Sequence, residues 1–152
     1  MHASIIDCHT HTNFSDGESS FEENVRAAAA KGCRVLVSTD HLTLPASMDP
    51  QCECQVPARD LPAHQAAFDA ARELAAQIAP DMDFIFGFEC DWYPGCERNV
   101  AQWAQKAQVK LGSVHWIGDA GDTSIAAGER GCERIDPADA PGLAAGWIDY
   151  SE

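Results

Sequence analysis

Apolar residues in this chain alternate between two spacings. Short aliphatic runs are followed by stretches whose apolar positions return every three or four residues, as expected for buried strands and amphipathic helices. Ser4 to Cys8 reads as a short buried strand. Ser19-Ser20 then offers an N-cap, with Glu22 and Glu23 in a first helical turn. Phe21 to Lys31 is an alanine-rich helix that Gly32 stops. Arg34-Val35-Leu36-Val37-Ser38 is a second strand, rich in β-branched and aliphatic residues. Leu42 to Pro57 holds three prolines and no period, so it reads as a long loop of the kind often found at functional sites. Ala58 to Ile78 is an amphipathic helix followed by Pro80, and Met82 to Phe88 is a third strand. Glu97 to Ala107 is a third helix with Val100, Trp103, Ala104 and Ala107 on one face, and Val109 to Val114 is a fourth strand. From Gly118 to Gly146 the chain is rich in Gly, Ala, Asp and Pro and reads mostly as loop.

The predicted order is β-α-β-α-β-α-β. Such alternation implies an α/β protein with parallel strands and right-handed crossovers. Four such strands make either an open sheet or half of a barrel. Neither an internal repeat nor a linker divides residues 1–152, so they read as a single domain.

Composition narrows the function. The formal charge is −14, which repels nucleic-acid phosphates, so no general nucleic-acid surface is expected. No apolar run approaches membrane-spanning length. The first residues lack the basic and long apolar segments of a secretory leader, and a cytoplasmic location is the expectation. Seven cysteines are an odd number with no disulfide-framework spacing. Cys52-Glu53-Cys54 lacks zinc-knuckle spacing and reads as loop thiols.

The candidate chemistry lies at the strand ends. His9 and His11 stand two apart after the first strand, so both imidazoles face one side. Asp16 precedes Gly17 in a turn, where an aspartate either caps its own backbone or offers an oxygen to a cation. His41 ends the second strand, beside Asp40, which reads as a loop cap or as a partner orienting an imidazole. Glu89 follows the apolar third strand and His115 the fourth. A carboxylate after such an apolar run is either at a solvated rim or paired with a cation. Cys8 and Cys90, as strand neighbours of these residues, should face the other way. Ligand types at four successive strand ends favour a barrel over an open sheet and point to a multinuclear site. Mixed imidazole and carboxylate donors suit Zn, Mn or Fe. Such ions lower the pKa of bound water to about 7, and a pair about 3.5–4 Å apart can hold both hydroxide and a phosphoryl oxygen. The expected reaction is therefore hydrolysis of a phosphate ester, with water rather than a side chain as nucleophile. No Gly-rich phosphate loop, nucleophile elbow or dinucleotide fingerprint is present.

Several of these segments resemble the polymerase and histidinol phosphatase (PHP) family. They are Asp7-Cys8-His9-Thr10-His11 with Ser15-Asp16-Gly17, Ser38-Thr39-Asp40-His41, Gly87-Phe88-Glu89, and Gly112-Ser113-Val114-His115. Gly87 to Gly95 and Gly112 to Trp116 are most similar to the histidinol-phosphatase branch. The resemblance implies the first half of a distorted seven-stranded (βα) barrel and two or three divalent metal ions in a complete site. It implies that His9, His11 and Glu89 bind one ion, that Glu89 bridges to a second held by His115, and that Asp16 and His41 bind a third. The implied reaction converts L-histidinol phosphate and water to L-histidinol and phosphate, in histidine biosynthesis.

The matching segments span residues 4–118. The family pattern continues with a further histidine and a late Asp-x-His pair, about a hundred residues more at barrel scale. No histidine follows His115 here, so the site reads as C-terminally incomplete. A fragment, a natural half that self-associates through open sheet edges, and a short non-catalytic metal- or partner-binding homologue each account for this. Another phosphoesterase of the family, acting on nucleotides or phosphotyrosine, is the alternative enzyme. Arg130 and Arg134 are candidate phosphate anchors, equally readable as solvated loop charges.

Overall fold

A computed structural model describes residues 4–115. The order is β1 (Ile5–Thr10), α1 (Phe21–Ala30), β2 (Cys33–Ser38), α2 (Leu61–Ile78), β3 (Asp83–Asp91), α3 (Glu97–Trp103) and β4 (Val109–Ser113). Neighbours in the sheet are neighbours in the chain, and every pair is parallel. Each crossover thus moves one place in the same direction, with no reversal of strand order. That is barrel winding rather than the doubly wound pattern. The four strands form a curled half of a (βα) barrel.

Local sequence explains the element ends. Ser20 caps α1 through a capping box, its hydroxyl accepting from the Glu23 N–H while the Glu23 carboxylate accepts from the Ser20 N–H. Gly32 leaves the helix with φ 71°, a conformation that suits glycine. Helix α2 begins at Leu61 rather than at residue 58, because Pro62 fits a first turn, where its missing N–H costs nothing. Helix α3 is shorter than its apolar face: Ala104 caps it, yet Val100, Trp103, Ala104 and Ala107 all pack on the core.

Two strands depart from expectation. Strand β1 is exposed rather than buried, with Ile5 44% and Ile6 60% accessible. It lies at the sheet edge, while α1 and α2 pack over β2 and β3. Strand β3 runs three residues past Phe88 because β4 pairs with the polar segment as well: Glu89 faces Leu111, and Asp91 faces Ser113.

The two faces of β3 define the architecture. Phe84, Phe86 and Phe88 point toward the helices, where Phe68 of α2 lies 4.5 Å from Phe84 and 4.7 Å from Phe86, centroid to centroid. Phe21 and Val25 of α1 complete this core. Glu89 and Asp91 alternate to the opposite face. The segment expected as loop, 118–146, lies outside the described residues.

Candidate metal centre

The turn after β1 is shaped by two devices. Gly17 sits so close to the His11 carbonyl carbon and oxygen that a Cβ there would meet them at 2.7 and 2.8 Å. Only glycine lets Asp16 fold back on His11. Beneath the turn, buried Asp40 accepts from the Thr12 N–H, from the Thr12 hydroxyl at 2.8 Å and from the Ser15 hydroxyl at 2.7 Å. Its remaining partner is His64 Nε2 of α2, at 2.8 Å. Asp40 is therefore a loop cap, and the imidazole it holds is His64. These hydrogen bonds offset the burial that would raise the Asp40 pKa and hold it below the ordinary carboxylate value.

His41 is delivered by a continuation of the β2–β3 ladder. It pairs with Glu89, whose N–H donates to the Asp40 carbonyl at 3.1 Å and whose carbonyl accepts from Leu42 N–H at 2.8 Å. The long loop that follows closes back on the same place, with the Val56 N–H donating to the His41 carbonyl at 3.0 Å. Buried Asp49 orders this loop by accepting from the Glu53 and Cys54 N–H groups, both at 3.1 Å.

All six predicted residues converge. His9 Nε2, His11 Nε2 and Glu89 Oε2 form a triangle with edges of 2.9, 2.7 and 3.0 Å. Donors at right angles around an ion with bonds of about 2.1 Å stand about 3.0 Å apart, so the triangle fits one face of such a site. His11 Nδ1 lies 2.6 Å from Asp16 Oδ1, and His41 Nε2 lies 3.6 Å from Asp16 Oδ2. On the far side, His115 Nε2 lies 2.8 Å from Glu89 Oε1. The two oxygens of Glu89 thus face different groups of imidazoles. Among the described residues, three donor sets could each hold a cation: His9, His11 and Glu89; His11, Asp16 and His41; and His41, Asp91 and His115, with donor atoms in each lying within 4.8 Å of one another.

Two residues in this region are not among the six candidates read from the sequence, although Asp91 lies within the Gly87–Gly95 segment. Asp91 is buried, and its Oδ2 lies 2.8 Å from His41 Nδ1. Strand alternation would have found it, since Glu89 and Asp91 are two apart on one strand. His64 lies on the apolar face of α2 with Phe68, Ala71 and Ala75, fully buried and stacked on Phe88 at 5.2 Å. Its position among the apolar residues of a helix was the available clue. Cys8 is exposed and Cys90 packs on the core, so neither thiol belongs to the donor sets. Arg130 and Arg134 lie outside the described residues.

The electrostatics are those of a mutually compensated cluster. Burial opposes charge on His11, but its hydrogen bonds to Asp16 and Glu89 outweigh that and raise its pKa to about 10. Burial would raise the Glu89 pKa, yet hydrogen bonds from His11 and His115 hold it well below the carboxylate range. Asp16 is likewise lowered, its burial outweighed first by the His11 hydrogen bond. A cation entering here replaces protons as the positive partner of buried carboxylates, the usual coupling of metal binding to proton release.

Comparison with known proteins agrees with this architecture. The PHP domain family matches residues 7–132, and the chain belongs to it. A solved structure of a candidate histidinol phosphatase, hisK from Listeria monocytogenes, superposes with a TM-score of 0.63 at 20% sequence identity. The match covers 76% of this chain and 46% of that one, so the chain spans about half the length of this structural relative. Among curated proteins no sequence match is found. PHP domain proteins bind divalent metals and are typically metal-dependent hydrolases. No described helix is long and apolar enough to cross a membrane.

Proposed function

We propose that this chain contributes to a metal-dependent phosphoesterase centre whose substrate is a small phosphate monoester, L-histidinol phosphate first among them. The observation that carries this reading is the pair of shared donors. Glu89 turns one oxygen toward His9 and His11 and the other toward His115, while His41 faces both Asp16 and Glu89 at 3.6 Å. Adjacent cation sites joined by a carboxylate suit phosphoryl hydrolysis, because they can hold both the attacking and the leaving oxygen. In this proposal His9, His11, Asp16, His41, Glu89 and His115 are the ligands. When bound, the cations would acidify a water and neutralise phosphoryl oxygens. The chain's own part is to fix the donors: Asp40 locks the His11–Asp16 turn, and the Glu89 carboxylate stays ionised.

Histidinol phosphate is favoured by the Gly87–Gly95 segment, and the structural relative carries the name of the same activity. The formal charge of −14 disfavours long nucleic acids. The ion is Zn, Mn or Fe by donor chemistry. Exposed Ile5 and Ile6 on edge strand β1 also offer a surface for self-association, which sedimentation velocity would reveal.

The test is metal analysis of chelator-free protein, with phosphate release measured from histidinol phosphate, a nucleotide monophosphate and a phosphotyrosine peptide. Stoichiometric metal with preference for histidinol phosphate is expected. Preference for another ester overturns the substrate, and bound metal without turnover on any ester overturns the phosphatase reading for this chain.

A further inference from the structure

We propose that Asp91 is a positioning residue of this centre. It holds His41 with the hydrogen on Nδ1, so that Nε2 presents its lone pair to the cation cluster. The proposal rests on the metal-centre reading above and adds a residue outside the ligand set that the family motifs supply.

Three observations carry it. Asp91 Oδ2 lies 2.8 Å from His41 Nδ1, with both side chains almost wholly buried. A carboxylate can only accept, so Nδ1 is the donor. His41 Nε2 then faces Asp16 Oδ2 and Glu89 Oε2, each at 3.6 Å, too far for a hydrogen bond and open to a cation between them. Finally, Asp91 Oδ1 is buried without a hydrogen-bond partner, 3.7 Å from His115 Nε2. A buried carboxylate with an unsatisfied oxygen is costly in an ordinary core. Beside a cation site the same charge is stabilised, because it adds to the field that holds the ion.

Strand geometry makes the placement firm. Asp91 is the last residue of β3, paired with Ser113, and the Trp92 N–H donates to the Ser113 carbonyl at 2.8 Å. The carboxylate is thus fixed from both β3 and β4 and points at the imidazole from behind.

The first measurement is the His41 tautomer, by long-range proton–nitrogen NMR of the whole chain. Nδ1–H is expected in the neutral ring of the metal-free protein at alkaline pH and in the zinc-loaded protein. Nε2–H in the free ring, or zinc on Nδ1, overturns the proposal. The second is zinc affinity of Asp91→Ala and Asp91→Asn, with thermal melts as the folding control. An asparagine oxygen still accepts from Nδ1–H, so Asp91→Asn should retain most affinity, whereas Asp91→Ala should lose about 10–100-fold. Equal, complete loss in both variants would make Asp91 a direct ligand and overturn the positioning role. No loss in either overturns it too, while leaving the metal centre standing. If the chain binds no zinc at all, the metal reading fails, and the tautomer in the free protein still decides Asp91.

Discussion

Strands β1 and β3 bring similar pairs to the centre by opposite means. Each brings two donor-type residues two apart to its C-terminal end, His9 with His11 just past β1, and Glu89 with Asp91 within β3. Strand β1 is an exposed edge, and the His9 side chain is 54% accessible. Strand β3 lies between two parallel neighbours, and the Glu89 and Asp91 side chains are 3% and 1% accessible. The His9 side chain stays near water and carries little desolvation cost. Buried carboxylates require compensation, and here imidazoles supply it. His9 is a replaceable part of the cluster, and the carboxylates on β3 are its electrostatic foundation.

Removing Glu89 breaks that contrast most severely. Glu89→Gln keeps the volume but takes the charge from between His9, His11 and His115. Metal affinity should fall by more than about 100-fold, beyond the loss typical of an outer partner, and phosphate release should fall with it. Calorimetric metal titration checks this, and wild-type affinity in the variant would sink the bridging role.

On the other face of the same strand, Phe88→Ala tests packing alone. Phe88 is 2% accessible and stacks on His64, so about 3–5 kcal/mol of stability should be lost, read from urea unfolding. Ile6→Ala on β1, at 60% accessible, should stay within about 0.5 kcal/mol. Equal losses would mean that β1 is as well covered in solution as β3.

His9→Ala sharpens the comparison at the ligand level. The exposed side chain contributes little to folding, so the melting temperature of the metal-free protein should hardly move. Affinity of the first donor set should still drop at least about tenfold. A large fall in stability with unchanged metal binding would reverse the roles assigned to the two strands.

This contrast also explains what could be read from the sequence. The alternation of elements, the parallel order and the six strand-end or turn positions were legible because they follow from periodicity and from polar residues that interrupt apolar runs. Asp91 was not, because the apolar run ends at Phe88, whereas β4 continues the ladder through Asp91. The exposure of β1 was hidden because an edge strand and a central strand of a parallel sheet carry the same aliphatic pattern. His64 showed its burial through its place among the apolar residues of a helix but not its partner, because Asp40 lies 24 residues away. Local spacing finds donors on one strand, and only the assembled sheet pairs buried charges across elements.

The dependence on pH is the effect that separates proton from metal. His11 has its pKa raised from 6.5 to about 10, because its hydrogen bonds to Asp16 and Glu89 outweigh burial. Without a cation, its stabilising contribution is complete below the unfolded value of 6.5 and disappears as pH rises through about 10. Metal binding runs the other way, since the ion must displace that proton, and affinity should rise about tenfold per pH unit for each proton released. As pH rises from 7 to 9 the metal-free protein should therefore melt at progressively lower temperature while zinc binds more tightly. Glu89 stays ionised well into acid, so the loss of metal on acidification is set by the imidazoles. Paired thermal melts and zinc titrations across that range check both slopes. A metal affinity indifferent to pH would mean that His11 is already unprotonated, and that Glu89 finds its compensation elsewhere.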